Sequence, residues 1–341
     1  MEAYINAITY YLPKYDLTNE VINSKFPEWS VDKISTKTGI KSRKVSAPDE
    51  FSADMATKAA EKLFNEYDID KGSIDFLLIC TQSPDYFLPT TACIVQEMLG
   101  LEKSVGALDF NLGCSGYVYG LSLAKGLIAG GMAKRILLIT SETYSKFIHP
   151  ADKSNLTIFG DAASATLITA AKGFCKIDDF IFGTDGKGAE NLIVKRGGAR
   201  YPTEKEGNES ADEFNNVHSE NNLYMNGPEI FNFTAEAVPV LVKQVLEKHS
   251  LEMEDISYFI FHQANKYLLN HLRKKIGIPE EKFIIALENY GNTVSSTIPI
   301  AICDSLGMLK QNNAKKVLIA GFGVGYSWAG CIIDFEGSIE N

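Results

Sequence analysis

Val105-Gly-Ala-Leu-Asp-Phe-Asn-Leu-Gly-Cys-Ser-Gly-Tyr-Val-Tyr-Gly-Leu121 is the stretch on which the reading of the fold turns. Val105 to Phe110 reads as a strand, Gly113 ends it, and small residues from Ser115 lead into Leu121, Ala124 and Ile128 at helical spacing. Cys114 therefore sits on a strand-to-helix corner, at or near the helix N terminus. Unpaired N–H groups and the dipole there favour thiolate over thiol, so a lowered thiol pKa is expected. Gly113 and Gly116 let the chain turn sharply and admit another segment closely. The N–H of Cys114 can point at an oxyanion forming on a bound acyl group. Most lone cysteines are buried structural residues, and those at 80, 93, 175, 303 and 331 lie in apolar strands or helices that read as core. The Gly-Cys-Ser-Gly corner singles out Cys114 as a nucleophile.

Working outward, short apolar runs alternate with longer amphipathic stretches, the pattern of an α/β fold with buried strands. One set of strands is expected at Ile74 to Cys80, Val105 to Phe110, Arg135 to Thr140 and Ala163 to Ile168. A second is expected at Ile256 to Phe261, Lys316 to Ala320 and Ala329 to Phe335. Helices are expected at Ala53 to Tyr67 and Ala235 to His249. The sets read as two copies of one plan: Ile74-Asp-Phe-Leu-Leu-Ile-Cys lies over Ile256-Ser-Tyr-Phe-Ile-Phe-His, and Arg135-Ile-Leu-Leu-Ile-Thr over Lys316-Val-Leu-Ile-Ala-Gly. A duplicated domain with its seam near residue 172 follows, with halves at 1–172 and 173–341. Tyr201 to Asn222 is polar and acidic and reads as a surface loop, and Met225-Asn-Gly-Pro as a turn feeding a helix.

Bulk composition narrows the function. The 341 residues include 33 Lys plus Arg against 43 Asp plus Glu, a net charge of -10. That balance argues against nucleic-acid wrapping, which needs a concentrated basic footprint. The absence of any C-x-x-C pair speaks against a disulfide framework or a zinc knuckle. No signal peptide or membrane span is legible, so a cytoplasmic location is expected.

Further candidates lie in the second half. Phe261-His-Gln-Ala-Asn265 follows a strand, so His262 emerges where sites collect in α/β sheets. Glu288-Asn-Tyr-Gly-Asn-Thr293 is a tight turn before a helix expected near Ser295, and Asn292 there could equally be a cap. Gly321-Phe-Gly-Val-Gly325 has G-x-G-x-G spacing and precedes a strand, which removes the helix terminus a dinucleotide needs. Backbone N–H groups offered to a thioester carbonyl fit it better.

Together, Asn111-Leu-Gly-Cys-Ser-Gly, Phe261-His-Gln-Ala-Asn, Tyr290-Gly-Asn-Thr and Gly321-Phe-Gly-x-Gly stand in the order seen in ketoacyl-acyl-carrier-protein synthase III. Thr38-Gly-Ile-Lys-Ser-Arg, Pro84-Asp-Tyr-Phe-Leu-Pro, Phe159-Gly-Asp-Ala-Ala-Ser-Ala and Met225-Asn-Gly resemble further segments of that family, so the likeness runs over nearly the whole chain. It implies the thiolase fold, a duplicated five-layer α/β/α/β/α arrangement, and a homodimer. It implies that Cys114 accepts the acyl group, that His262 and Asn292 polarise a malonyl thioester as it loses carbon dioxide, and that Gly325 with the Cys114 amide forms the oxyanion hole. It implies no metal or redox cofactor. Substrate positions implied by the likeness are Leu88 (in the acyl pocket of a partner subunit), Met225, Phe231, Asn265, Lys33, Lys37 and Lys153. Acidic acyl carrier protein would dock on Lys266, Arg273, Lys274 and Lys275.

Two positions depart from the family. A Trp and an Arg typically grip the adenine of coenzyme A; here Lys33 and Lys153 stand there, with Trp29 displaced nearby. Two lysines offer no aromatic face, so a carrier-protein or specialised acyl-coenzyme A donor is as well supported as acetyl-coenzyme A. Rival functions are acyl transfer from Cys114 to an alcohol or amine, against which Asn292 argues, and a non-catalytic partner subunit, which would usually lack the cysteine.

Overall fold

The computed structural model describes residues 2–204, 208–212 and 215–335. Ten strands form the main sheet: β1 (Tyr4–Tyr11), β2 (Phe76–Cys80), β3 (Gly106–Phe110), β4 (Arg135–Glu142), β5 (Ala162–Thr169), β6 (Cys175–Thr184), β7 (Tyr258–Phe261), β8 (Phe283–Ile284), β9 (Lys316–Gly323) and β10 (Ser327–Phe335). Their order is β8-β7-β9-β10-β6-β1-β5-β4-β2-β3. The first five strands thus run 3-2-4-5-1 from the edge inward, and the second five repeat this as 8-7-9-10-6. Directions repeat too. β2 is parallel to β3 and β4, as β7 is to β8 and β9, and the remaining pairs in each set are antiparallel. Among the described residues, strand pairing between the two sets consists of Tyr4 opposite Lys176 and Ile5 opposite Cys175.

Helices complete the layers: α1 (Ser52–Glu66), α2 (Thr91–Leu99), α3 (Gly116–Ala129), α4 (Gly227–His249), α5 (Lys266–Ile276) and α6 (Thr297–Gln311). α3 and α6 lie between the two five-stranded halves of the sheet. Tyr117, Leu121 and Ile128 of one and Ile298, Ile302 and Leu309 of the other share a core with Ile136 and Ile319 from the strands. The Gly-, Ala- and Leu-rich sequence of α3 lets it pack into this layer along most of its length, with Leu123 left 40% exposed. α1 and α2 cover the outer face of the first half, and α4 and α5 that of the second. Each fully buried aliphatic side chain in these cores contributes about 1.5–3 kcal/mol, so Leu121→Ala in the middle layer would cost about 2–5 kcal/mol.

The seven expected strands are present, with ends shifted by up to three residues. Three strands lie outside those expectations: β1 and β6, the inner strand of each set, and the two-residue β8. In β1 the register shifts between Ile5 and Ala7, and the side chain of Asn6 turns out to Ala171 and Lys172, which spoils the alternation. In β6 the pair Asp178-Asp179 interrupts the apolar run. α4 begins at Gly227, well ahead of the expected Ala235, capped by Asn226, which accepts from the Glu229 N–H at 3.3 Å. Within the expected loop from Tyr201 to Asn222, positions 205–207 and 213–214 lie outside the described residues. The rest includes a short antiparallel pairing of Glu209–Ala211 with Val217–Ser219.

Candidate active site

The corner between β3 and α3 carries Cys114, 5% exposed, two residues before the first residue of α3. What closes over it is the end of β9. A β-carbon on Gly323 would lie 3.0 Å from the sulfur, and one on Gly321 2.7 Å from the Cys114 carbonyl oxygen. Only glycine allows that approach. The N–H groups of Cys114 itself and of Val324 point at the sulfur. Val324 was not among the residues read from the sequence, and nothing in its type could have revealed it, because its backbone does the work.

The resting thiol is not the thiolate the sequence suggests. Burial above all, with the Glu142 carboxylate second, pushes it up to about 12 against the two N–H groups. The helix terminus is present, but desolvation of a buried anion outweighs it. Glu142 is itself fully buried at the end of β4. It accepts from the Ser295 hydroxyl at 2.8 Å, the Gln82 N–H at 3.1 Å and the Ser83 hydroxyl at 3.2 Å, and burial raises its pKa to about 8. At neutral pH the sulfur is protonated, so attack requires a base.

His262 supplies a suitable group. It leaves β7 with its N–H bonded to the Ala320 carbonyl at 2.8 Å and its ring edge-on to Phe322. Phe322 and Gly323 are consecutive on β9, so one strand end touches the imidazole with one residue and the cysteine with the next. Burial lowers the imidazole pKa to about 3, against a hydrogen bond to the Val294 backbone that raises it, so the ring is neutral at physiological pH and only a weak base in the resting site. Asn292 places its amide nitrogen 3.5 Å from Nε2 of His262. Its Oδ1 accepts from the Val294 N–H at 2.9 Å, so the amide orientation is fixed with its donor toward the imidazole. Val294 makes this bond from φ +54, a conformation costly for a β-branched residue and commonly stored at functional sites, at about 1–3 kcal/mol.

The remaining sequence-derived residues divide. Met225 borders the apolar cluster of Cys114, Tyr144, Ile148, Phe159, Leu192, Leu223 and Val294. Phe231 does not; it packs in the outer core of the second half, against Tyr267 and His271 of α5. Asn265 caps α5, accepting from the Leu268 N–H at 2.8 Å. Gly325 adopts φ +136 in the turn between β9 and β10. Leu88 is 83% exposed beside Phe87 and Tyr86, which are also exposed, so the three form an apolar tip.

At the expected nucleotide position, Lys33 and Lys37 stand 5.1 and 5.6 Å from the ring centre of Trp29. Lys153 is paired with Glu28 at 2.5 Å. On α5, Lys274 and Lys275 are exposed, whereas Arg273 turns inward to Glu280 and the Ile278 carbonyl. Lys266 and Arg273 line a groove of about 660 Å³ with Lys41, Phe283 and Glu288.

A ten-stranded duplicated sheet with helices within and outside it, and a cysteine at the corner leading into a central helix, define the thiolase-fold class. Residues 108–186 match the family 3-oxoacyl-[acyl-carrier-protein] synthase III, and residues 246–335 match its C-terminal domain. A β-ketoacyl-[acyl-carrier-protein] synthase III of Clostridium perfringens is 38% identical over 95% of this chain and 96% of its own length. A crystal structure of a 3-oxoacyl-(acyl-carrier-protein) synthase III superposes with a TM-score of 0.93 at 48% identity, covering 98% of this chain and all of the other. A 3-oxoacyl-(acyl-carrier protein) synthase of Burkholderia xenovorans gives 0.90 at 38% identity, over 99% of this chain and 95% of the other. The chain belongs to the 3-oxoacyl-[acyl-carrier-protein] synthase III family.

Proposed function

We propose that this protein is a condensing acyltransferase that joins an acyl thioester to a malonyl-carrier-protein thioester through an acyl-Cys114 intermediate. The observation that carries the reading is that Cys114 and His262 border consecutive residues at the end of β9, with the Asn292 amide 3.5 Å from the imidazole. The Cys114 thiol gives its proton to Nε2 of neutral His262 and attacks the acyl carbonyl. The N–H groups of Cys114 and Gly325 hold the tetrahedral oxyanion. The proton passes to the leaving thiolate. A malonyl thioester then replaces it and loses carbon dioxide. The charge on its thioester oxygen is held by the Asn292 amide and an Nε2–H of His262. The carbanion attacks the acyl-cysteine, expelling the Cys114 thiolate, which takes a proton from water to restore the resting thiol.

Support for a carrier-delivered acyl group comes from the mouth of the site. Trp29 already has two ammonium groups over its ring, and Lys153 is already neutralised by Glu28. Lys274 and Lys275 offer an acidic carrier its docking charge. The exposed tip at Leu88 supports a homodimer in which that side chain completes the partner's acyl pocket. The repeated strand order supports halves at 1–172 and 173–341. All six cysteines are unpaired, which supports a reducing, cytoplasmic location; among the described residues no helix is long and apolar enough to cross a membrane.

The test is intact-protein mass spectrometry with a panel of acyl thioesters, followed by malonyl carrier protein. Acyl mass should appear on the native chain and not on Cys114→Ala. Acylation without carbon dioxide release and a ketoacyl product would replace condensation with simple acyl transfer.

A further inference from the structure

The proposed reaction makes opposite demands on one nitrogen. To take the thiol proton, Nε2 of His262 must be bare; to hold the enolate oxygen, it must carry hydrogen. The ring has one proton when neutral, so the first half-reaction needs it on Nδ1 and the second on Nε2. What faces Nδ1 therefore decides which tautomer is available. A carbonyl there would support only the first, and a backbone N–H only the second. A hydroxyl, which both donates and accepts, supports either.

The group at Nδ1 is such a hydroxyl. Thr297 Oγ1 lies 2.8 Å from Nδ1 of His262 and 2.9 Å from the carbonyl oxygen of Val294, with all three residues buried. With the hydroxyl donating to Val294, Oγ1 accepts from Nδ1–H. Nε2 is then bare, facing the amide nitrogen of Asn292 at 3.5 Å. With the hydroxyl turned onto Nδ1, the ring proton belongs on Nε2, and the Val294 carbonyl gives up its bond from Thr297. The φ of +54 at Val294 belongs to the same arrangement, since this residue holds the Asn292 amide with its N–H and offers its carbonyl to Thr297.

We propose that Thr297 is a positioning residue that selects the tautomer of His262, and that rotation of its hydroxyl between Val294 and Nδ1 matches the imidazole to each half-reaction. The exchange is balanced: the proton leaving Nδ1 goes to water, one from water arrives at Nε2, and the imidazole stays neutral. The inference rests on the proposed condensation for its kinetic consequence, but the tautomer itself can be observed without substrate.

The experiment uses Thr297→Val and Thr297→Ser in the full-length protein. Valine keeps the volume but can donate nothing to a bare Nδ1, whereas a ring N–H on that side still has the Val294 backbone to bond to, so the Nε2–H tautomer is disfavoured. Acylation, followed by mass shift, should stay within about threefold of wild type, and carbon dioxide release from malonyl carrier protein should fall about tenfold or more. Thr297→Ser should restore it. Nitrogen-15 NMR of the His262 ring should show both tautomers in the native and Ser proteins and only Nδ1–H in the Val protein. Equal losses in both half-reactions, no loss in either, or unchanged ring signals in Thr297→Val would overturn the proposal. A native chain that never acylates Cys114 would instead overturn the reading of function, leaving the ring signals to judge Thr297.

Discussion

Cys114 and Asn292 occupy the same place in the two halves. Each stands on the connection from an edge strand, β3 or β8, into a central helix, α3 or α6. In the first half that connection is short, Asn111 to Ser115, and delivers the side chain next to the helix N terminus. In the second it is longer, Ile285 to Ser296, and ends in a 3₁₀ turn at Val294–Ser296 with Val294 in the left-handed region. One scaffold thus places a thiol at a tight corner and a fixed amide donor on a longer connection. His262 stands at the end of β7, matching the end of β2, where the first half carries Thr81 and Gln82. Duplication supplied two equivalent corners, and connection length separated their chemistry.

If the halves divide the labour this way, Cys114→Ala should remove acylation altogether, a loss of at least ~10³-fold, and with it everything downstream, as judged by mass shift. Asn292→Ala should keep acylation and lose condensation by about 10²–10³-fold, the usual effect of deleting one such donor. Loss of both steps in the asparagine variant would end the division.

Acid sharpens the comparison at His262. Its folded pKa of about 3 lies below its ordinary 6.5, so the folded state binds fewer protons. The contribution to stability is complete above pH 6.5 and is lost as pH falls toward 3. Between pH 7 and 4.5 the native protein should lose about 2 kcal/mol more than His262→Gln in urea titrations.

Smaller effects are expected on α5. Lys274→Glu with Lys275→Glu should raise the KM for malonyl carrier protein about three- to tenfold while moving stability by under about 0.5 kcal/mol. Arg273→Ala should do the reverse, costing about 1 kcal/mol with little change in KM, because its guanidinium is engaged by Glu280 and Ile278. Equal effects from the two changes would show that the three cations act as one patch.

Much of this was legible in the sequence because the signals are local. The run into Gly113 and the helical spacing after it place Cys114, and Phe261-His and Gly-Asn-Thr mark the partner groups. The protonation state of Cys114 was not legible, since it depends on a carboxylate brought from the end of β4 and on exclusion of water by β9. The likeness implies a substrate role for Phe231, and the first turns of α4 bring its ring onto Tyr267 and His271 of α5, a contact between distant segments that no local pattern carries. Arg273 and Lys274 are neighbours in sequence, yet their side chains leave the helix in different directions, and only tertiary packing reveals which one meets solvent.

The ion pair between Lys153 and Glu28 has a consequence for how this protein should respond to its medium. A cation held by its own chain has few counterions to shed, so added salt should scarcely weaken ligand attraction at that spot. Sensitivity to ionic strength should reside on the far rim, with Lys274 and Lys275, making the approach of an acidic carrier salt-dependent while the hold on the acyl group, once inside, is not.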